Sequence, residues 1–197
     1  MRQRSDEEGL QGLNWNEHNQ KRPEMYIGQI GDGNKAQDGI YALLRDAIDM
    51  SVDEFQRGFC KGISIDANRV SITVREFGRG IPLKDVVHAT SGVSVGIGAQ
   101  STNLTVHPIK VVNALSNVFN LTSYRDGKCS WVKYSKGVLL SQGVEKTQEC
   151  NGLLIEFSPD VGIFPDYSFQ MEIVRNILKD IAQQNKGLSV VFNGETL

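Results

Sequence analysis

Two stretches decide the fold: Asp38-Gly-Ile-Tyr-Ala-Leu-Leu-Arg-Asp-Ala-Ile-Asp-Met-Ser-Val-Asp-Glu-Phe55 and Glu76-Phe-Gly-Arg-Gly-Ile-Pro82. In the first, apolar residues recur every three or four positions, which predicts a helix with one buried face. These apolar residues are Ile40, Leu44, Ile48, Val52 and Phe55. Asp46, Asp49 and Asp53 share another face, with Glu54 beside them. Clustered carboxylates destabilise a helix unless a cation or a donor compensates, so this face is either a solvated surface or a binding site.

The second stretch follows Val70–Arg75, whose alternating β-branched residues predict a strand. Two glycines around Arg79, followed by Ile81 and Pro82, predict a tight bend where the backbone can approach a ligand closely. A single Gly-x-Gly is weak evidence for any function. An acidic helix, a strand, an acidic residue and this bend, in that order, form a much more specific pattern.

The rest of the chain alternates helices with mostly antiparallel strands. We expect short helices at Asp85–Ala89 and Ile109–Asn117, a C-terminal helix from Met171, and a loop over residues 90–105. Predicted strands are Gly62–Asp66, Asn120–Tyr124, Lys128–Tyr134, Val138–Gln142, Leu153–Phe157 and Leu188–Phe192. This pattern indicates an α/β fold, a two-layer sandwich of a mixed, mostly antiparallel sheet with helices on one face.

Composition narrows the function class. With 197 residues and 40% hydrophobic content, the chain can bury one full core. A net charge of -2 lacks the basic footprint of a duplex-binding domain. No apolar run reaches membrane-spanning length, and three cysteines without metal-ligand spacing are typical of a cytoplasmic protein. Residues 1–12 are polar and are expected to form a disordered tail.

The order of these motifs resembles the ATPase domain of the B subunits of type IIA DNA topoisomerases (DNA gyrase and topoisomerase IV), within the GHKL superfamily. The resemblance covers residues 13–197 and is nearest to the topoisomerase IV branch. It is carried further by Leu13-Asn-Trp-Asn-Glu-His18, Arg22-Pro-Glu-Met-Tyr-Ile-Gly28, Gly31-Asp-Gly33, Val111-Val-Asn-Ala-Leu-Ser116, Tyr124-Arg-Asp-Gly127, Glu145-Lys-Thr147 and Asn151-Gly-Leu-Leu-Ile-Glu-Phe-Ser-Pro-Asp160. It implies the Bergerat fold, with ATP and Mg²⁺ held between helices and sheet.

The resemblance also implies the roles of individual residues. Asp46 holds the place of the general base, and Glu76 that of the carboxylate that accepts from the adenine amino group. The other expected nucleotide-binding residues are Asp53, Glu54, Gly78, Arg79, Ile81, Pro82 and Arg125. Glu54 and Arg79 are expected to form an ion pair beside the adenine. An exposed pair of little energetic value is the alternative.

Several positions depart from the family pattern. Asp46 replaces a Glu, which shortens the base by one methylene, and Met50 replaces the Asn that ligates Mg²⁺, so no metal ligand is predicted. Leu153 replaces a Thr that supports adenine binding. The glycine-rich phosphate loop is replaced by Asn103-Leu-Thr-Val-His-Pro108. His107 is expected to be an ordinary loop residue and Lys110 a solvated one, although either could reach a phosphate. Gly92–Gly98 is a flexible lid or a displaced glycine loop.

Two functions therefore compete. The first is the ATP-binding and hydrolysing domain of a topoisomerase B-type subunit, with impaired hydrolysis, whose nucleotide-dependent dimerisation is coupled to DNA topology. The second is a diverged pseudo-ATPase that serves as a binding or regulatory module. The resemblance implies a homodimer, or a heterodimer with a B-type subunit, together with an A-type subunit in a full assembly. The transducer and DNA-cleavage domains are expected to be absent, so DNA contact would require other domains.

Overall fold

The structure is a computed structural model that describes residues 15–91 and 108–197. The expected tail at residues 1–12, the stretch Gly92–Gly98 and the phosphate-loop positions 103–107, including His107, lie outside the described residues. The domain boundary at residue 13 and the interpretation of these segments therefore stay predictions.

The described residues form six helices and eight strands. The helices are α1 (Trp15–Lys21), α2 (Glu24–Ile27), α3 (Gly39–Gln56), α4 (Val86–Thr90), α5 (Pro108–Ala114) and α6 (Met171–Gln184). The strands are β1 (Gly62–Ala67), β2 (Ile72–Glu76), β3 (Ser116–Arg125), β4 (Lys128–Ser135), β5 (Val138–Lys146), β6 (Gly152–Pro159), β7 (Ser189–Phe192) and β8 (Glu195–Thr196). A 3-10 turn at Leu83–Asp85 precedes α4.

One sheet contains all eight strands in the order β5-β4-β3-β6-β2-β1-β7-β8. Its pairs are antiparallel except β1 with β7, which is parallel. Alternate residues of β2, including Ile72 and Val74, are buried, as are Ile155 and Phe157 of β6. The predicted α/β sandwich with a mixed, mostly antiparallel sheet is confirmed.

Helix α3 is the central helix of the core. Ile40, Leu44 and Ile48 are fully buried, as their spacing predicts, while Val52 and Phe55 pack at the edge of the core. Asp38 precedes the helix, and its carboxylate accepts hydrogen bonds from the backbone N–H groups of Gly33 (2.9 Å) and Lys35 (3.1 Å). The carboxylate therefore organises the loop that leads into the helix rather than capping the helix itself.

Two expectations about the elements were wrong, and three short elements were not predicted. The helix predicted to reach Asn117 ends at Ala114, because the chain from Ser116 onward pairs with β6 and tertiary pairing overrides the helical period. Thr90 belongs to α4 rather than to a loop, and its hydroxyl donates to the Val86 carbonyl at 2.9 Å. The short elements α1, α2 and β8 were not predicted, since each contains too few residues to display a period.

Among the described residues, no helix is both long and apolar enough to cross a bilayer.

Candidate functional site

The acidic helix and the glycine bend meet at the Glu54–Arg79 pair. Arg79 Nε lies 2.8 Å from Glu54 Oε1, and Arg79 Nη2 donates to Glu54 Oε2 at 3.0 Å. The Arg79 backbone N–H also donates to Glu54 Oε1 at 3.1 Å. These bonds lower the pKa of Glu54. The predicted ion pair is therefore present, while its place beside an adenine stays a prediction and the 45% exposure of the Arg79 side chain keeps the alternative of a weak surface pair open. The Arg79 guanidinium also lies over the ring of Phe59, 3.4 Å from its centroid.

Glu76 ends strand β2 and points into the interior behind this pair. Its side chain is 1% exposed, and neither carboxylate oxygen has a hydrogen-bond partner among the described residues. Burial raises the pKa of Glu76, and the Glu54 carboxylate adds to the rise. The Gly78 N–H, the Cys60 thiol and the Leu153 backbone lie close enough to offset part of the rise, although none of them reaches hydrogen-bonding geometry with the carboxylate. A buried acid with two unpartnered oxygens is costly, and a ligand that donates hydrogen bonds would relieve that cost.

The two glycines of the bend Gly78–Pro82 lie close to neighbouring side-chain and backbone atoms. A side chain at Gly78 would collide with the carboxylates of Glu76 and Glu54. Gly80 has a φ of +70°, and a Cβ there would lie 2.7 Å from the Tyr124 carbonyl oxygen. Both glycines therefore approach neighbouring groups closely, but these groups belong to the protein itself, and the predicted close approach to a ligand stays a prediction.

Side chains of strand β3 donate hydrogen bonds to the backbone of the bend. The Ser123 hydroxyl donates to the Ile81 carbonyl at 2.7 Å, and Arg125 Nη1 donates to the Gly80 carbonyl at 3.4 Å. Ile81 is half-buried and packs against the core, whereas Pro82 is exposed. Arg125 thus lies at the edge of the bend, and the role that the family resemblance implies for it at the rim of a nucleotide pocket stays a prediction. Ser123 was missed; its only signal was a small polar residue at a buried position of an alternating strand.

The acidic face of α3 carries strongly perturbed carboxyl groups. Asp46 is half-buried, and burial, followed by repulsion from Asp49, raises its pKa from the ordinary value of 3.8 to about 7. Asp49 is exposed, and its pKa is raised by desolvation and by the charge of Asp53. The expected shared face is confirmed. A carboxyl that titrates near neutral pH can accept a proton from water at physiological pH, which is what a general base requires.

The nearby positions do not fit a magnesium ion. Met50 is half-buried on α3 and packs against the core, and its thioether is a poor ligand for a hard cation. No group of three or more potential ligand side chains is found among residues 15–91 and 108–197. Leu153 is buried and lies directly opposite Glu76 in the pairing of β2 with β6. It therefore places apolar surface beside the buried acid.

Lys110 contradicts its expected solvation. It lies in the first turn of α5 with 6% exposure, and desolvation lowers its pKa. Among the described residues it forms no salt bridge. The packing of α5 against α3 and the sheet, which the sequence could not show, places this side chain inside the protein.

The structure thus brings Glu54, Glu76, Gly78, Arg79 and the rest of the bend together at one place. Arg125 lies at the rim. Asp46 and Asp53 share the helix of Glu54 without contacting Glu76. Two contributors were missed besides Ser123: Cys60 and Phe59, which follow the helix in a turn and had no recognisable pattern.

Comparisons with known proteins agree with this architecture. No family model matches the chain. The chain is 36% identical to the B subunit of DNA topoisomerase 4 from Borreliella burgdorferi, over 98% of its own length and 33% of that protein's. It is 33% identical to the B subunit of DNA gyrase from Halalkalibacterium halodurans, over 94% of its own length and 31% of that protein's. The chain therefore spans about a third of the length of these curated relatives.

A solved structure shows the same fold. The crystal structure of the 43K ATPase domain of Thermus thermophilus gyrase B, in complex with an aminocoumarin, superposes with a TM-score of 0.74 and 27% identity. The match covers 96% of this chain and 51% of that one. By sequence and by fold, the chain is a homologue of the B subunits of DNA topoisomerase IV and DNA gyrase and has the GHKL fold of the gyrase B ATPase domain.

Proposed function

We propose that this chain binds the purine end of ATP between α3 and the Gly78–Pro82 bend and hydrolyses ATP weakly. ATP would supply the phosphoanhydride bond whose cleavage drives its topoisomerase relatives. The residues of this chain would bind the base, orient it and hold a proton at Asp46. The proposal is supported by the family relationship and by the geometry of the site.

Glu76 is the observation that carries the proposal. Its two buried, unpartnered oxygens lie at the position where the family resemblance expects an adenine-accepting carboxylate. The exocyclic amino group of adenine would satisfy one of them, and the raised pKa of Glu76 means that its protonated form could also donate to a ring nitrogen. Glu54, Arg79 and Arg125 would wall this position, and Asp53 would lie beside Glu54 on α3.

Weak hydrolysis follows from two residues. Asp46 has a pKa suited to a general base, but its carboxyl is one methylene short of the family's Glu, and a displacement of about 1 Å can reduce the rate roughly a hundredfold. Met50 offers no ligand for Mg²⁺ at the family's metal position. The chain's own residues therefore support binding of the base better than they support chemistry at the phosphates.

The alternative is a pseudo-ATPase that serves as a binding or regulatory module without turnover. It is favoured by Leu153, whose buried apolar side chain stands opposite Glu76 and could fill space that the base would need. In either case, we propose that the partners are those of the family: a second B-type chain, an A-type subunit, and DNA through other domains.

Isothermal titration with a non-hydrolysable ATP analogue tests the proposal. We expect binding by the wild-type chain and a loss of about tenfold or more in Glu76→Leu, because leucine offers neither an acceptor for the adenine amino group nor a donor to a ring nitrogen. Asp66→Asn, which removes an exposed carboxylate on β1, is the control and should bind like the wild type. Absence of binding at millimolar nucleotide would contradict the proposal. The remaining alternative would then be a pseudo-ATPase that binds no nucleotide.

The metal position is tested by Met50→Asn. The amide oxygen of Asn can ligate Mg²⁺, so we expect this variant to bind the nucleotide more tightly in the presence of Mg²⁺ and to hydrolyse ATP faster than the wild type. Strong Mg²⁺-dependent binding and rapid turnover by the wild-type chain would contradict impaired hydrolysis. If Met50→Asn changes neither quantity, the phosphate-binding segment rather than the metal ligand limits the reaction.

A further inference from the structure

Arg75 lies next to Glu76 in β2 but on the opposite face of the sheet, outside the candidate site. Its guanidinium is held between two aromatic rings, 4.6 Å from the ring centroid of Phe77 and 4.7 Å from that of Tyr124. Such stacking restricts a guanidinium to one plane and favours the orientation of its donors. The half-buried Arg75 is therefore fixed rather than solvated.

The donors of Arg75 connect the ends of two strands. Nη1 donates to the backbone carbonyl of Glu76 itself and, at 3.2 Å, to that of Leu153. Nη2 donates to the Cys150 carbonyl at 2.8 Å. One cation thus ties the last residue of β2 to the start of β6, and hydrogen bonds from a charged donor are stronger than those from a neutral one.

The same contacts continue to the glycine bend through Gly152. This residue has a φ of +137°, and a Cβ there would collide with the Glu76 carbonyl and with Arg75 Nη1. On its other side, the Gly152 carbonyl oxygen lies so close to Gly80 that a Cβ on Gly80 would be 2.9 Å away. Arg75 therefore lies against Gly152, and the bend packs against the same residue through Gly80.

We propose that Arg75 is a positioning residue. It determines how deeply the Glu76 carboxyl group is buried, the direction in which this group points, and the position of the Gly78–Pro82 bend. Arg75 does so by donating to the Glu76 backbone carbonyl from the face of the sheet opposite the Glu76 side chain, while the rings of Phe77 and Tyr124 keep the Arg75 guanidinium in one plane. The consequence for nucleotide affinity rests on the proposed function. The consequence for the Glu76 backbone does not.

Hydrogen exchange without nucleotide tests the positioning role directly. In Arg75→Gln, we expect amide exchange across residues 76–82 and 150–153 to rise about tenfold or more, because three carbonyl contacts are lost. Arg175→Gln is the matched control, since Arg175 also lies over an aromatic ring, that of Phe192, and pairs with Glu195 at 2.9 Å. It should destabilise the protein without a selective effect on those amides.

Two further variants separate positioning from charge and from folding. Arg75→Lys keeps the charge but not the planar fork, so it should show the same selective exchange as Arg75→Gln. Phe77→Leu removes one stacking ring from an exposed position and should give a smaller change at the same amides, which keeps the test available if Arg75→Gln does not fold. Wild-type exchange in Arg75→Lys, or a uniform rise over the whole sheet in both Arg75 variants, would overturn the proposal.

Nucleotide titration of the same variants then links the two proposals. If the wild type binds the ATP analogue, Arg75→Gln should bind it at least about fivefold more weakly, while Arg175→Gln should not. If the wild type binds no nucleotide but the exchange of residues 76–82 still depends on Arg75, the proposed function fails and the positioning role stands. Equal nucleotide affinity in wild type and Arg75→Gln would overturn the link between Arg75 and ligand binding.

Discussion

Asp46→Asn should stabilise this protein at high pH and leave its stability nearly unchanged at low pH. Burial and the neighbouring Asp49 raise the pKa of Asp46 from 3.8 to about 7 in the folded state. Between these values the folded protein binds more protons than the unfolded chain, so the free energy of unfolding falls as pH rises through that window. The amide side chain of the variant cannot ionise, so the variant does not lose this stability as the pH rises.

The size of the effect follows from the shift. A difference of about three pKa units corresponds to roughly 4 kcal/mol when the group is fully ionised in both states. Asp46 is only half-buried, so solvent screening reduces this upper limit, and we expect a gain of about 2 kcal/mol at pH 8. At about pH 4 both states hold the proton, and the gain should be close to zero.

Urea unfolding of wild type and Asp46→Asn at several pH values between about 4 and 8 measures this difference. Asp66→Asn, at an exposed position on β1, is the control and should give no pH-dependent change. Asp49→Asn should give a smaller gain than Asp46→Asn, because Asp49 is the more exposed of the two and its removal leaves Asp46 desolvated. A gain that is the same at pH 4 and pH 8, or absent at both, would refute the reasoning.

Two other substitutions probe backbone and burial. Gly80→Ala should cost about 2–4 kcal/mol in urea unfolding, because strain at positive φ is added to a collision with the Tyr124 carbonyl; Gly58→Ala, at a φ of +81° with open space around it, should cost only about 1 kcal/mol. Equal losses in the free energy of unfolding at the two glycines would show that the bend is not closely packed against the Tyr124 carbonyl. Lys110→Met should stabilise the protein by about 1–2 kcal/mol at pH 7 and by less at pH 10, because the lowered pKa of the buried Lys110 makes the charged form costly. A loss of stability at pH 7 would indicate that Lys110 has a partner.

Features set by local pattern could be predicted from the sequence. The period of Ile40, Leu44 and Ile48 determined the buried face of α3, and that face determined where the carboxylates lie. The glycines of the bend were predictable because close approach and positive φ exclude other residues. The Glu54–Arg79 pair was reached through the family resemblance, since nothing in the spacing of two residues so far apart in sequence requires contact.

Features that depend on packing between distant elements could not be predicted. The burial of Lys110 depends on how α5 lies against α3 and the sheet, and the end of α5 at Ala114 depends on the pairing of β3 with β6. The contacts of Arg75 join strands that are more than seventy residues apart in sequence. Long-range pairing of this kind leaves no local signature, because the period of a strand shows its faces but not its neighbours.

The half-buried Asp46 and the buried Glu76 bear on the choice between the proposed functions. The packing face and the acidic face of α3 are separate, so residues of the site can change while the core stays intact. Asp46 and Glu76 are nevertheless carboxylic acids in surroundings that disfavour their ionised forms and so raise their pKa values, and an amide at either place would avoid that cost. A module that needed only the fold would gain stability from such a change. We therefore propose that a ligand uses these two carboxyl groups, which lie on neighbouring elements and which a scaffold alone would not need.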